Sequence, residues 1–466
     1  MSEAQGAAWD GPGGGVRSVG IVGAGMVGLS TAWYLQERGI EVTVFDRSGP
    51  AAGSSWGNAG WITPALSTPL PEPSVLAYGI RQLLRPSSPV YVPPSAALDP
   101  GMVRFLARFA RNSTPGRWRE AMGALVRINR HALEAFDKMV RDGGAAAGCL
   151  HEAEPFLVGY TDPSEARTLV DEARQITEAG QPVQVDELPV DEAREEAPML
   201  SPAVRATLLL RGQRYLHPPE FVAALAESVS ARGGVLRNGI AVEAVRDRGR
   251  RAAVTGRIVE GGHAGGGPGR GGAGESGAGE GAAGADGARR WDSGTVDVGF
   301  DAVVVADGAE LNTLTGRFGV REQVRAGRGY SFSVPVGTLP PGPLYFPTTR
   351  VACTPLGDRL RVAGMMEFRR HDAPMDPRRI AAVADSVRPL LRGVDLDDRA
   401  DEWVGSRPCT ADGLPLIGPT GSPRVFAAGG HGMWGMTLGP ATGMLLAEAI
   451  DTGRTPQDLA PFDPLR

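Results

Sequence analysis

The clearest chemical signal in the chain is a run of six residues, Gly23-Ala24-Gly25-Met26-Val27-Gly28. It lies between a short apolar run, Ser18–Val22, and an apolar-periodic segment reaching Arg38, which is a strand–turn–helix context. Gly23 permits a tight turn, Gly25 lets the backbone approach a pyrophosphate, and Gly28 lets helix and strand pack closely. The N-terminus of such a helix offers free N–H groups and a positive field to phosphates. Asp46 ends a second apolar run, Glu41–Phe45, at the spacing where a carboxylate holds ribose hydroxyls. The pattern predicts a bound dinucleotide without separating FAD from NAD. A second motif of this kind, which an NAD-linked reductase needs for NAD(P)H, is missing.

Other reactive groups are sparse. Lys138 is the sole lysine, so a lysine-dependent mechanism has one candidate. The 6 histidines have no metal-ligand spacing, and no metal is predicted. Cys149, Cys353 and Cys409 are far apart and odd in number, which fits a reducing compartment. The 466 residues, 42% hydrophobic and 22% charged, have a soluble globular balance. A net charge of −5 gives no electrostatic reason to expect nucleic acid. No run approaches the roughly 20 apolar residues of a spanning helix, and the polar leader 1–16 lacks the pattern of a secretory signal. The expected location is cytoplasmic, with peripheral contact at the inner face of the membrane if a quinone takes the electrons.

Positioning these residues requires particular elements. Residues 63–94 are rich in proline and serine and should run over the surface, whereas 101–141 has helical spacing. A helix at 221–231 leads to a strand at 234–245 that opens a β-meander. Residues 261–288 are almost wholly Gly, Ala and scattered charge and read as a disordered, passive insertion. Strands are expected at 291–298, 301–306, 330–334, 350–354, 360–363 and 425–428, with a closing helix to about Ile450.

Four further segments resemble the D-amino-acid oxidase and dehydrogenase superfamily. They are Gly53-Ser54-Ser55-Trp56-Gly57-Asn58-Ala59-Gly60, Val303-Val304-Val305-Ala306-Asp307-Gly308-Ala309, Gly405-Ser406-Arg407-Pro408-Cys409-Thr410-Ala411-Asp412-Gly413-Leu414-Pro415 and Gly429-Gly430-His431-Gly432-Met433-Trp434-Gly435. The resemblance spans residues 18–450, interrupted by the Gly/Ala insertion, and is nearest the bacterial D-amino-acid dehydrogenase branch. It implies non-covalent FAD, held by Gly23, Gly25, Met26, Val27, Gly28, Asp46, Arg47, Ser54, Ser55, Asn58, Ala59, Gly60, Val242, Ala306, Gly308, Gly432, Met433, Gly435, Met436 and Thr437. It also implies an arginine, here Arg407, on the substrate carboxylate, a use suited to the guanidinium fork. The competing reading pairs Arg407 with Asp412 or with backbone carbonyls. Tyr330 and Tyr345 should lie on strands roofing the substrate cavity, and Trp434 should line the pocket. His431 should order its loop.

Departures from the family pattern are informative. Asp307 replaces a small neutral residue and either is a solvated turn aspartate or, near a flavin, would tune its potential or the substrate charge; Ala411 replaces a proline. Trp434 stands where the sarcosine-oxidase branch carries a lysine that assists reaction with oxygen. The expected acceptor is therefore a quinone or other carrier rather than oxygen.

The fold class expected is α/β: a Rossmann-like doubly wound FAD-binding domain plus an antiparallel-sheet substrate domain, as in D-amino-acid oxidase. The FAD-binding part is assigned to 17–75, 205–320 and 398–455, and the substrate part to 76–204 and 321–397. The expected reaction is oxidative deamination of a small amino acid, with hydride transfer from the α-carbon to flavin N5 and release of an imino acid. The alternatives are a secondary-amine or cyclic imino acid oxidase or dehydrogenase of the sarcosine, glycine or hydroxyproline type, and a non-catalytic or NAD-linked flavoprotein.

Overall fold

The computed structural model describes residues 15–73, 90–93, 96, 99–144, 147–259 and 294–466. The 261–288 insertion, nearly all of the 1–16 leader and much of the 63–94 stretch lie outside the described residues.

Apolar runs rich in valine become the buried centre of a six-stranded sheet, as expected for strands covered on both faces. Its order is β10 (Val235–Arg237), β2 (Glu41–Phe45), β1 (Ser18–Val22), β14 (Ala302–Val305), β21 (Val425–Gly429) and β20 (Leu416–Pro419). All neighbours are parallel except β20, which runs antiparallel to β21. A three-stranded antiparallel meander, β11 (Ile240–Asp247), β12 (Ala252–Ile258) and β13 (Thr295–Phe300), shares an apolar core with this sheet.

The described helices are α1 (Met26–Gln36), α2 (Pro100–Asn112), α3 (Pro115–Asn129), α4 (Ala132–Arg141), α5 (Pro163–Glu178), α6 (Val190–Glu196), α7 (Pro218–Ala231), α8 (Leu311–Thr315), α9 (Pro377–Val387) and α10 (Gly435–Thr452). Helices α1 and α10 cross with almost no gap. A Cβ on Gly439 would come within 2.6 Å of the Met26 side chain, and one on Gly443 within 2.6 Å of the Ser30 backbone. The Gly435-x-x-x-Gly439-x-x-x-Gly443 spacing puts these small residues on one helix face and brings the two N-termini together.

A nine-stranded sheet forms the second layer. Its order is β19 (Ala400–Cys409), β15 (Arg325–Pro335), β18 (Arg359–Phe368), β17 (Val351–Leu356), β16 (Leu344–Phe346), β6 (Leu157–Tyr160), β8 (Ala206–Leu210) and β7 (Val185–Leu188), with β4 (Val90–Tyr91) on β18. Helix α9 packs on its back face. A small sheet of β3 (Trp61–Ile62), β9 (Arg214–Leu216) and β5 (Leu150–Glu152) lies between the layers' connections. The division drawn from sequence needs two changes: β8 and β19, assigned to the cofactor part, hydrogen-bond into this roof sheet. Both pair with strands far away in sequence, which local patterning does not reveal.

Candidate active site

At the head of β1 the glycine turn closes on itself. Gly23 has φ +108, and a Cβ there would strike the Ala306 carbonyl; a Cβ on Gly28 would strike the Gly23 carbonyl. Helix α1 begins at a glycine, which supplies no cap of its own, and has no acidic residue in its first turn, so its first-turn amides beyond Met26, which Ser55 caps, remain available to an anion. Asp46 accepts from the amides of Ala24, Ser48 and Gly49, each at 2.8 Å. Those three bonds fix the turn and leave about one lone-pair direction of the carboxylate for a ribose hydroxyl. Arg47 is ion-paired with Glu310. Val242 sits at a bulge in β11, half-buried against the same core as Val22 and Phe45.

The 53–60 segment runs from this turn to the front face of the roof sheet. Ser55 Oγ accepts from Met26 N at 3.2 Å, and Ser54 Oγ donates to the Ser406 carbonyl at 2.5 Å. Asn58 Oδ1 caps Gly60 N at 2.9 Å. From above, Arg361 Nη2 donates to Ser331 Oγ (2.7 Å), which donates to the Gly57 carbonyl (2.7 Å). Thr437 in the first turn of α10 donates to the Trp61 carbonyl at 3.1 Å, while the Gly432 amide donates to the Pro408 carbonyl at 2.8 Å. The nucleotide turn, the 53–60 segment, β19 and the head of α10 are thus bonded into one rim. His431 is buried with Nε2 2.9 Å from Thr442 Oγ1, and burial pulls its pKa down to about 4, so it is a neutral spacer at physiological pH.

Arg407 occupies the front face of β19. Its guanidinium lies where a Cβ on Gly329 of β15 would be, and Nη1 donates to the Met365 carbonyl at 2.6 Å. Asp412 is not its partner; that carboxylate binds Arg466 at 2.9 Å. Among the described residues no carboxylate forms an ion pair with Arg407, and burial lowers its pKa from the ordinary guanidinium value. A half-buried cation with one carbonyl partner and no counter-ion among the described residues is poised to take an anion.

A family model described as "FAD dependent oxidoreductase" matches residues 18–449. The chain belongs to the FAD-dependent oxidoreductase family. Proteins named D-amino acid dehydrogenase are similar along nearly the whole length. That of Rhizorhabdus wittichii is 30% identical over 439 residues, covering 92% of this chain and 95% of the relative. That of Cereibacter sphaeroides is 30% identical over 446 residues, covering 94% and 92%. Among solved structures, glycine oxidase from Geobacillus kaustophilus superposes with a TM-score of 0.66 at 21% identity, covering 97% of this chain and 99% of that one. L-proline dehydrogenase from P. horikoshii gives 0.65 at 18%, covering 97% and 98%. These last two share the fold.

The residues fit FAD, the cofactor of the family. The amides of α1 beyond Met26 adjoin the turn that Gly25 keeps open: the nearest atom to a Cβ there is Ser55 Oγ at 3.4 Å. Asp307 is placed differently from expectation. The charges acting on it are Glu310, Arg47 and Asp46, which places it beside the nucleotide turn. Burial, with Glu310 and Asp46 adding, raises its carboxyl to about 7. The group is neutral below that pH and anionic above it, where it opposes a diphosphate. FAD should therefore dissociate more readily as pH rises from 6 to 8, by up to about tenfold if binding shifts the carboxyl by one further unit. Fluorescence titration of apoprotein with FAD reads this directly, and Asp307→Asn should flatten the profile. An equally steep profile in that variant rules the account out.

Three of the expected substrate contacts are relocated. Tyr330 is a correction: alternation along β15 puts it on the back face, fully buried, with its hydroxyl donating to Glu367 at 2.6 Å. Tyr345 shares the front face with Arg407, but four strand spacings separate β16 from β19, about 19 Å. It forms a far wall with Trp61, ring centroids 5.2 Å apart. Trp434 caps α10 and donates its indole N–H to the Thr68 carbonyl at 2.7 Å, so it anchors the 63–73 segment. Lys138 is ion-paired with Glu37 and Asp142. Sequence reasoning missed Trp61, whose Nε1 donates to Thr354 Oγ1 at 2.8 Å and props the roof over the 53–60 segment. Its place directly after Gly60 was the available signal. A cavity of about 440 Å³ beside Pro64, Asn129 and Gln181 is lined by none of Arg407, Tyr345 or Trp434.

Proposed function

We propose that the chain oxidatively deaminates a small amino acid, in the manner of a D-amino-acid dehydrogenase. The observation that carries this is Arg407, a half-buried guanidinium on the face above the 53–60 segment with a carbonyl on one side and, among the described residues, no counter-ion. The similarity to D-amino acid dehydrogenases over more than nine-tenths of the chain supports it. Bound FAD supplies a two-electron acceptor.

The chain's own residues contribute position and electrostatics. Arg407 holds the carboxylate by two of its N–H groups, which fixes the α-carbon against the rim and excludes rotation about that bond. The amine must be unprotonated for its lone pair to assist loss of hydride from the α-carbon. Loss of the amine proton completes the imine, and water hydrolyses it to a 2-oxo acid and ammonia. His431 is neutral and committed to Thr442, and is not the base. The rate should therefore rise with pH toward the pKa of the bound substrate amine. With Lys138 tied to Glu37 and Asp142, and Trp434 at the head of α10, a lysine does not assist oxygen; a quinone or similar carrier is the proposed acceptor.

Anaerobic titration of the yellow holoprotein with D-, L- and N-substituted amino acids tests this. Bleaching by D-amino acids, faster at higher pH and with slow recovery in air, is the expected result. Bleaching by N-methyl or cyclic substrates alone would replace the primary amine with a secondary one. No bleaching by any of the panel would overturn the proposal.

A further inference from the structure

The register between β15 and β18 slips at one place. Arg328 pairs with Glu367 and Tyr330 with Gly364, so two steps along β15 oppose three along β18. The extra residue makes a bulge, and within it Met365 has φ +63, a left-handed conformation unfavourable for a residue with a side chain. A regular strand keeps its carbonyls in the plane of the sheet. Here the Met365 carbonyl meets Arg407 Nη1 on the front face. Gly329, opposite the bulge, leaves the gap through which the guanidinium reaches it.

Behind the sheet, Tyr330, Arg328 and Arg369 meet at Glu367, Arg369 Nη1 lying 3.6 Å from Oε1. The Tyr330 hydroxyl donates to Glu367 Oε2 at 2.6 Å, and these two residues flank the slip, one on each side. Arg328 Nη1 is 3.9 Å from the same carboxylate, and its Nη2 donates to the Ala373 carbonyl at 2.6 Å and the Pro374 carbonyl at 3.2 Å. Glu367 and Arg328 are 0% and 1% exposed. Buried charge of this kind is a poor stabiliser compared with apolar packing, and its best-attested use is to fix one arrangement against others.

We infer that Glu367, with Tyr330 and Arg328, is a positioning group for the substrate carboxylate: it staples the β18 bulge from behind, so that the Met365 carbonyl holds Arg407 at one angle. The inference deepens the proposed function and rests on Arg407 being the carboxylate clamp. It gives Tyr330 a part in the site that acts through another residue.

The test compares D-alanine with D-alaninamide as reductants of the holoenzyme, since only the acid uses the clamp. Glu367→Gln and Tyr330→Phe should each raise KM for D-alanine about tenfold, a change equivalent to one pK unit of interaction. In both, kcat should change less than about threefold and KM for D-alaninamide should stay put. Met365→Gly, which adopts φ +63 without a staple, should restore the D-alanine KM in the Glu367→Gln background. If the two substrates shift together, or the glycine gives no rescue, Glu367 has only a structural role. Should Glu367→Gln fail to retain FAD, Tyr330→Phe, which loses a single hydroxyl, carries the same comparison. Arg407→Met separates the two levels. If it leaves the acid-to-amide ratio unchanged, the clamp reading fails; if it collapses the ratio while Tyr330→Phe does not, the inference alone fails.

Discussion

Arg407→Lys is expected to lower kcat/KM for D-alanine by about 100-fold, even though the charge is kept. One guanidinium nitrogen is committed to the Met365 carbonyl at 2.6 Å, and the planar fork keeps further N–H groups for a carboxylate. A lysine ammonium is a point donor on a narrower reach, and the fixed carbonyl would compete for it. Losing a charge-assisted bidentate contact in a desolvated site costs about 2–5 kcal/mol, which brackets a 100-fold effect. Arg407→Met should cost at least as much and should erase the preference for D-alanine over D-alaninamide. Steady-state kinetics with an artificial carrier as electron acceptor give both numbers. Lysine activity within threefold of the parent would mean that a point charge suffices and that the fork geometry is irrelevant.

How much of this site was visible in the sequence depends on the range of the forces involved. The glycine turn was legible because its constraints act over six residues: Gly28 is excluded from carrying a side chain by the carbonyl of Gly23. The Arg407 motif was legible through family resemblance, but its partner was not. Asp412 lies five residues away and invited pairing, yet it binds Arg466 near the chain's end. Tyr330 was misplaced for a reason of parity. Strand β15 is buried on both faces through almost its whole length, so the alternation that normally separates core from cleft is missing. The bulge that decides where Arg407 points is a single extra residue in β18, and Met365-Met366 carries no turn signature. Asp307 was read as a flavin neighbour from the resemblance of its strand, whereas two of its charged neighbours, Asp46 and Arg47, come from a segment some 260 residues earlier in the chain, about which local patterning is silent.

The second large effect separates two glycines that look equivalent in sequence. Gly25→Ala and Gly28→Ala should both weaken FAD binding, but only the second should harm the protein without its cofactor. A methyl on Gly28 would fall on the Gly23 carbonyl and lie 3.5 Å from the Ala306 side chain. The struck atom is backbone held between β1 and β14, so no flexible chain end can yield. Overpacking of this kind costs about 1–3 kcal/mol and opens the turn. The apoprotein should melt several degrees lower, about 2–4 °C per kcal/mol for a domain of roughly 150–250 residues. A methyl on Gly25 meets nothing closer than Ser55 Oγ at 3.4 Å, an ordinary contact, so the Gly25→Ala apoprotein should melt like the parent. In the holoprotein the same methyl stands where the α1 amides face a phosphate, and FAD affinity should fall about 100-fold or more as close backbone approach is lost. Thermal melts of the apoproteins and FAD titrations distinguish the two. Normal FAD affinity in Gly25→Ala would move the pyrophosphate away from the α1 N-terminus, and an unchanged apoprotein melt in Gly28→Ala would show that the turn has room the structure denies it.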